Sequence, residues 1–333
     1  MVEPKSPTSP DKPATTPQNL VIVGGGIMGS GIAAAFRAGG WNVHVMSRSE
    51  STRDTLKARV TNAMRQLDVT RKPAGTLTIH ATLEDIDWSR IDFVIEAVAE
   101  DLDLKREIFR QIGLLALPGT PLASNTSTFE ISSIGRDLNH PERLVGAHFF
   151  MPAHLVPLVE IVSGRNGNPA VAEDVCRWMQ SLGKKPIRVK KEVPGLIANR
   201  IQHAMMREAL YLMEEGVASA EDVDTAVRFG FGFRFIACGP ILQKEMSGWD
   251  TNCSAGNALY PHLNHSDHFP PSMERMVAEG RSGMKTLGGL WEWTDERVTA
   301  ERARIDRLLL AGLKILSDDC PTSACVRQIG VLD

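Results

Sequence analysis

The sequence predicts an α/β fold, in which an N-terminal Rossmann domain with a doubly wound sheet is followed by an all-α C-terminal domain. The apolar run Asn19–Val23 leads straight into a glycine-rich turn, and further strand-like runs then alternate with helical segments. From about residue 196 the apolar residues recur at helical spacing instead. A length of 333 residues also favours two domains over one.

Composition and charge exclude several classes of protein. Hydrophobic residues make up 43% and charged residues 23%, which is typical of a soluble globular protein. The net charge of −3 and the scattered basic residues argue against a nucleic-acid partner. No apolar run approaches the roughly 20 residues that a membrane span needs, so no membrane partner is expected.

The cysteines and histidines predict neither a disulfide framework nor a metal site. Five cysteines are odd in number and show no CxxC spacing, which favours the reducing cytoplasm. His262, His265 and His268 are spaced by three, but they lie in a proline-rich, loop-like stretch that fixes no coordination geometry. We therefore expect a cytoplasmic protein without a bound metal.

Changes in composition divide the chain into four parts. Residues 1–18 are rich in proline and predict a disordered tail, residues 19–193 the Rossmann domain, and residues 319–333 a flexible C-terminus. Residues 194–318 form the predicted substrate and dimerisation domain, with Pro194 and Gly195 at the hinge. The long amphipathic helix predicted from Leu196 to Glu215 is suited to a homodimer interface in that domain.

The glycine-rich turn predicts a site for a dinucleotide. Gly24 permits a tight turn, Gly26 allows the backbone to approach a pyrophosphate, and Gly29 lets the following helix pack closely on the strand. Ile27 and Met28 lie where the free N–H groups of the helix N-terminus would face the phosphates. The strand before the turn and the helix after it provide the context that this motif requires.

The end of the second strand, Asn42 to Met46, predicts which cofactor is preferred. An NAD enzyme commonly places an acid there for the ribose 2′-hydroxyl, whereas this chain has Ser47, Arg48 and Ser49. A guanidinium and two hydroxyls suit a 2′-phosphate, so NADP is the expected cofactor and NAD is possible. The alternative is a solvated loop arginine in an ordinary NAD enzyme.

Two further strands should deliver polar groups to the same edge of the sheet. The strand predicted over Phe93–Val98 ends at Ala97 and Val98, and the strand predicted over Leu122–Ser127 carries Asn125 and Ser127. Ligands of open α/β sheets bind outside the carboxyl ends of the strands. We expect nicotinamide and substrate to meet there.

One stretch carries a candidate general base. His148 follows an apolar run, and twelve residues later Glu160 stands alone between Val159 and Ile161. Two ionisable groups set in apolar strands are costly to bury unless they satisfy each other. A neutral imidazole oriented by a carboxylate is a suitable base near neutral pH. The alternative is a core histidine and an edge-strand glutamate that never meet.

Several motifs in the right order and spacing resemble those of the L-3-hydroxyacyl-CoA dehydrogenase family. They are the glycine turn, Asn-Thr-Ser from 125, His-Phe-Phe-x-Pro from 148, Val-Glu-Ile-Val from 159 and Ala-Asn-Arg from 198. By that resemblance His148 is the catalytic base, Glu160 orients it, and Ser127 and Asn199 polarise the substrate oxygen. Glu100 and Lys105 match family positions that lie by the cofactor.

Three departures make the chain more similar to the branch of this family that acts without CoA, on substrates such as L-gulonate, carnitine and a pyridine carboxylate. Only about 45 residues separate Ser47 from Asp92, too few for the lysine-rich hairpin that CoA-dependent members carry. Met151 stands where the family has asparagine, which makes the site drier. Arg234, in an apolar segment, is a candidate partner for a substrate carboxylate or else a surface loop arginine.

Together these features predict an NAD(P)-dependent dehydrogenase that interconverts a hydroxyl and a carbonyl on a 3-hydroxy acid or related small alcohol. Two alternatives stay open. One is a CoA-ester dehydrogenase of fatty-acid breakdown, and the other is a cofactor-binding structural protein similar to the crystallin members of this family.

Overall fold

The computed structural model describes residues 18–67 and 74–319, which form two compact units that divide after Ile197. Except for residues 18 and 319, the predicted N-terminal tail and C-terminal segment lie outside the described residues. The first unit is an α/β unit and the second is helical, which confirms the predicted fold class.

The first unit is built on an eight-stranded sheet in the order β3-β2-β1-β4-β5-β6-β7-β8. Strands β1 to β6 are parallel, and β7 and β8 run in the opposite direction. This is the dinucleotide-binding order extended by two strands. The strands are β1 Asn19–Val23, β2 Asn42–Met46, β3 Leu77–His80, β4 Phe93–Glu96, β5 Leu122–Ser124, β6 Leu144–Phe149, β7 Leu158–Ser163 and β8 Lys185–Val189.

Helices cover both faces of this sheet. Alternate residues of β1 enter two different apolar clusters, Leu20 and Ile22 on one face and Val21 and Val23 on the other. A central parallel strand with both faces buried reads as a continuous apolar run, which is why its sequence does not alternate. The helices are α1 Ile27–Ala38, α2 Glu50–Gln66, α3 Leu102–Leu115, α4 Ile131–Ile134 and α5 Pro169–Ser181, with short 3-10 turns at Trp88–Arg90 and Pro141–Arg143.

Strands β4 and β5 end earlier than the sequence suggested, and side chains explain why. The carboxylate of Glu96 accepts a hydrogen bond from the Val98 N–H at 2.7 Å, and the Ser124 hydroxyl accepts one from the Thr126 N–H at 3.3 Å. Such local side-chain bonds offer the backbone an alternative to the sheet ladder. Both strands therefore turn where their polar residues begin.

The second unit is helical but buries little of its own apolar surface. Among its described apolar side chains only Leu210 and Val298 are buried. In the described ranges no helix is long and apolar enough to cross a membrane. The helices of the second unit are α6 Ala198–Glu214, α7 Ala220–Ala226, α8 Pro240–Ser247, α9 Trp249–Leu259, α10 Pro271–Ala278 and α11 Asp295–Asp318, with irregular turns at Val227–Phe231, Phe233–Ile236 and Tyr260–His262.

Two histidines stack on each other between β2 and β3. The ring centroids of His44 and His80 are 5.2 Å apart, and Nδ1 of His44 lies 3.0 Å from Nε2 of His80. Burial lowers the pKa of both rings, and the neighbouring His80 lowers the pKa of His44 further. Because the unfolded chain then binds protons that the folded protein does not, the stability of the fold falls as the pH drops below the ordinary histidine value of about 6.5.

We expect His80→Gln to reduce this sensitivity to acid. The amide keeps a polar partner for His44 but removes one titrating ring, so stability should fall less steeply between about pH 7 and pH 5. Thermal unfolding at several pH values measures the slope. His140→Gln, at an exposed histidine, is the control. Parallel losses of stability in the wild type and His80→Gln would contradict the prediction.

Candidate active site

The glycine-rich turn between β1 and α1 leaves no room for a side chain at two positions. Gly24 has φ +115°, and a Cβ there would lie 2.5 Å from the carbonyl oxygen of Ala97 and 3.0 Å from the nitrogen of Val98. A Cβ at Gly29 would lie 1.8 Å from the carbonyl oxygen of Gly24. These contacts explain why only glycine fits where strand, turn and helix meet.

The same turn fits the pyrophosphate of a dinucleotide. Gly26 directly precedes α1, and a Cβ there would meet no atom within 4 Å, so the space above it is open. Ile27 and Met28 are the first residues of α1, and Ile27 is exposed. The unpaired N–H groups of this helix N-terminus face the side from which phosphates bind in such turns.

The end of β2 carries positive charge and no acid at position 47. Ser47 is buried, whereas Arg48 is exposed. Ser49 accepts the Thr52 N–H at 3.3 Å as the N-cap of α2, so its hydroxyl has a structural role as well. The Arg53 guanidinium donates to the carbonyl oxygens of Ser47 and Arg48 at 2.7 and 2.8 Å, which holds this loop close to a second cation.

His148 and Glu160 meet, as the sequence predicted. They are direct partners in the antiparallel pair of β6 and β7, so their side chains leave the same face of the sheet. Nδ1 of His148 lies 2.9 Å from Oε2 of Glu160, with the imidazole only 7% exposed and the carboxylate fully buried. The other carboxylate oxygen accepts the Ile197 N–H at 3.0 Å. Since a carboxylate beside Nδ1 favours the tautomer protonated there, Nε2 keeps its lone pair.

A second buried carboxylate, Glu96, ends strand β4. One of its oxygens accepts from the Lys105 ammonium at 2.8 Å, and the other accepts from the Ser124 hydroxyl at 2.6 Å. Lys105 is 1% exposed and also lies 3.2 Å from Glu100. Any effect of Lys105 on a cofactor therefore passes through these two carboxylates. The sequence analysis assigned no role to Glu96, although a lone acid in an apolar run was also the signal that identified Glu160.

Glu100 holds the turn that carries Ser127. Its Oε1 accepts from the Thr126 hydroxyl at 2.5 Å and from the N–H groups of Ser127 and Thr128, both at 3.0 Å. Although burial opposes it, the Thr126 hydrogen bond and the charge of Lys105 lower the pKa of Glu100. A carboxylate that stays charged keeps the turn fixed and presents the Ser127 hydroxyl beside the ends of β4 and β5.

Asn125 links the same turn to the histidine strand. Its side-chain oxygen accepts the Phe149 N–H at 2.8 Å, and its own N–H donates to the Glu96 carbonyl at 2.8 Å. The structure therefore brings Asn125 and His148 to one edge of the sheet. Met151, three residues after His148, is 68% exposed in the loop that follows β6.

The remaining predicted residues belong to the helical unit. Asn199 lies in the first turn of α6. Arg234 borders an apolar cavity of about 620 Å³ within that unit. When the Gln243 carboxamide turns its oxygen towards Arg234, that oxygen accepts from two guanidinium nitrogens at 2.7 Å, so the partner of the cation is neutral.

Comparison with known proteins assigns the chain to a family. The model of the 3-hydroxyacyl-CoA dehydrogenase NAD-binding domain matches residues 19–193, and the model of the C-terminal domain of these enzymes matches residues 195–293. The chain belongs to the 3-hydroxyacyl-CoA dehydrogenase family. It is therefore an NAD-binding oxidoreductase that acts on CH–OH groups, as the sequence predicted.

Individual relatives support this membership. A 5-formyl-3-hydroxy-2-methylpyridine 4-carboxylate 5-dehydrogenase of Mesorhizobium japonicum is 32% identical over 304 residues, which cover 90% of this chain and 98% of the relative. An L-carnitine dehydrogenase of a Pseudomonas species is 37% identical over 70% of this chain and 74% of its own length. A solved structure of the pyridine-carboxylate enzyme, described as an NAD⁺-dependent dismutase, matches with TM-score 0.87 and 30% identity over 92% of this chain and 100% of its own.

Within residues 18–67 and 74–319 no group of three or more His, Cys, Asp or Glu side chains is placed to hold a metal ion.

Proposed function

We propose that the chain is an NAD(P)-dependent dehydrogenase that oxidises the hydroxyl of a free hydroxy acid or small alcohol, with His148 as its general base. The observation that carries the proposal is the buried His148–Glu160 pair at 2.9 Å, at the sheet edge that also carries the dinucleotide turn. Open α/β sheets bind their ligands at that edge.

The protein's own residues move the proton in this mechanism. The nicotinamide, when bound, accepts or supplies the hydride. His148 Nε2 removes the hydroxyl proton during oxidation, and Glu160 stabilises the imidazolium that forms because its carboxylate already faces Nδ1. In the reducing direction His148 returns the same proton to the carbonyl oxygen.

Two further side chains are proposed to hold the substrate oxygen. Ser127 is positioned by Glu100, which accepts its N–H at 3.0 Å, and its hydroxyl lies 3.4 Å from the Thr128 hydroxyl. Asn199 is the second donor by resemblance to the family. Donors that are already fixed when charge develops on the oxygen lower the barrier without costly reorganisation.

Three features support a substrate without CoA. In the described residues between β2 and β3, α2 is the one helix, and it carries a single lysine, Lys57. Met151 places a thioether where the family carries an amide, which removes a hydrogen-bonding group from the histidine loop. Arg234 has a neutral amide partner, so its charge is available for a substrate carboxylate.

We expect His148→Ala to lower kcat by about 10² to 10⁴ while dinucleotide binding persists, because only the proton transfer is lost. Glu160→Gln should also lower kcat and shift the pH–rate profile, since the imidazolium loses its countercharge. Activity is followed by absorbance of the reduced cofactor over a panel of free hydroxy acids, small alcohols and acetoacetyl-CoA. His140→Ala, at an exposed histidine, is the control.

The same panel decides between the functional alternatives. Turnover of free acids alone supports the proposal, whereas tight calorimetric binding and turnover of acetoacetyl-CoA would establish a CoA-ester enzyme. Dinucleotide binding with every activity unaffected by His148→Ala would mean that His148 is not the base, as expected for a structural relative.

We further propose that the cofactor site prefers NADP. The support is local charge: no acid stands at position 47, Arg48 is exposed, and Arg53 binds the carbonyls of the same loop. The related pyridine-carboxylate enzyme is described as NAD⁺-dependent, so the preference depends on this loop alone.

We expect the ratio of kcat/KM for NADP over NAD to exceed about tenfold, the size of one charge-assisted phosphate contact. Ser47→Asp should reverse the ratio, because an acid at the strand end repels the 2′-phosphate and binds a 2′-hydroxyl. Ser51→Asp adds the same charge in the first turn of α2 and is the control. A wild-type enzyme that prefers NAD would refute the proposal.

We also propose that the helical unit forms a homodimer. Large apolar side chains are exposed throughout it, including Phe229 at 71% and Met246 at 78%, although a soluble domain of this size normally buries most of its apolar residues. A second copy of the same unit would cover this surface.

Light scattering should give twice the chain mass of 36.5 kDa. Met246→Asp in α8 should weaken the dimer because a buried, unpaired charge is costly, whereas Leu114→Asp, at an equally apolar exposed position in α3, should leave the mass unchanged. A monomeric wild type would contradict the proposal.

The cytoplasmic location proposed here continues to depend on the odd number of cysteines.

A further inference from the structure

A buried lysine that the proposed chemistry does not use, Lys184, lies directly before β8. It is 6% exposed, and its ammonium donates to the carbonyl oxygens of Ala153, His154 and Val156 at 2.7, 3.0 and 2.9 Å. These three bonds use all three protons of the ammonium. The three carbonyls belong to the segment 150–157, called here the histidine loop, which joins β6 to β7.

Among the described residues no carboxylate forms an ion pair with Lys184. Burial accordingly lowers the pKa of Lys184 to about 8. Removing a cation from water costs free energy that backbone carbonyls only partly return, whereas an apolar side chain in the same space would leave three carbonyls without this donor. The ammonium fixes the conformation of the loop, because three of its carbonyls converge on one nitrogen atom.

The opposite side of the histidine loop packs on the dinucleotide helix α1. A Cβ built at Gly31 would lie 3.1 Å from the Cβ of Ala153 and 3.4 Å from the nitrogen of His154, so the two backbones are in close approach. Ala153 and Leu155 are each 2% exposed. The loop is therefore enclosed between Lys184 and the helix whose N-terminus faces the pyrophosphate.

The contacts of the histidine loop with Lys184 and α1 matter for the active site because the loop directly follows the strand that carries His148. The loop begins one residue after β6 ends, so His148 lies just before it, and Met151 is its second residue. A shift of the loop would move Met151 directly and would alter the spacing between α1 and the end of β6. Cofactor turn and general base would then no longer face each other correctly.

We propose that Lys184 is a positioning residue, which fixes the histidine loop against α1 and thereby sets the distance between the dinucleotide turn and His148. Lys184 itself touches neither cofactor nor substrate. The part of this inference that concerns His148 rests on the proposed function, whereas the effect on the loop and on dinucleotide binding does not.

Lys184→Met tests this role, because methionine fills the cavity without donating. At the adjacent exposed position, Lys185→Met removes the same charge and leaves the Lys185 N–H bond to the Pro157 carbonyl intact. We expect Lys184→Met to increase amide hydrogen exchange at residues 153–156 and to weaken NADH binding, measured by fluorescence, by about tenfold. The value of kcat per folded molecule should fall by about 10- to 100-fold, and Lys184→Arg should recover part of each loss.

A purely structural role would lower the thermal midpoint and leave the folded enzyme unchanged. The proposal is therefore overturned if folded Lys184→Met exchanges loop amides like Lys185→Met, or if its NADH affinity and kcat stay within about twofold of that control. If Lys184→Met does not fold, Lys184→Gln, which keeps two donors, gives the same comparison. If the wild type turns over no substrate, the proposed function fails, while exchange and NADH affinity still decide the role of Lys184.

Discussion

The buried Glu160 carboxylate imposes the main constraint on strands β6 to β8, because it must be hydrogen-bonded there. A buried carboxylate must find donors, and here the imidazole of His148 and the Ile197 N–H provide them. In the antiparallel pair of β6 and β7, these two residues lie directly opposite each other. The pairing of β6 with β7 therefore places Glu160 where its carboxylate orients the His148 imidazole.

Glu96 applies the same principle at the centre of the sheet. It closes β4 and collects donors from the following turn, from α3 and from β5. Lys105 also forms an ion pair with Glu100, and Glu100 fixes the turn at Ser127 by accepting its N–H. The two buried acids, Glu96 and Glu160, thus fix the loops that follow their strands by hydrogen bonds. One acid lies on each side of the place where substrate is proposed to bind.

Apolar periodicity was sufficient to predict most of the fold. The bounds of β1 and β2 agree with those predicted from the sequence, because apolar runs leave few alternatives. The ends of β4 and β5 did not agree, because side-chain bonds from Glu96 and Ser124 end these strands, and a pattern of apolar residues contains no information on such bonds. Helix α1 begins at Ile27, directly after the glycine turn.

Part of the site could be predicted for a similar reason. His148 and Glu160 stood out as single ionisable residues in apolar strands, and strand pairing then brought them together. The role of Glu100 could not be predicted, because its donors come from a turn 26 to 28 residues further along the chain. Lys184 was also missed, since a lysine after a glycine and before another lysine resembles an ordinary surface turn.

The two buried lysines, Lys105 and Lys184, differ in the partners that surround their ammonium groups. Lys105 lies between two carboxylates, so its charge is balanced and its removal would leave two acids without a countercharge. Lys184 faces three carbonyl dipoles in place of an acid, and its burial lowers its pKa to about 8. Charge balance explains the first lysine but not the second. The three carbonyl oxygens of the histidine loop, which is held between Lys184 and the dinucleotide helix, are the partners that explain a cation at that position.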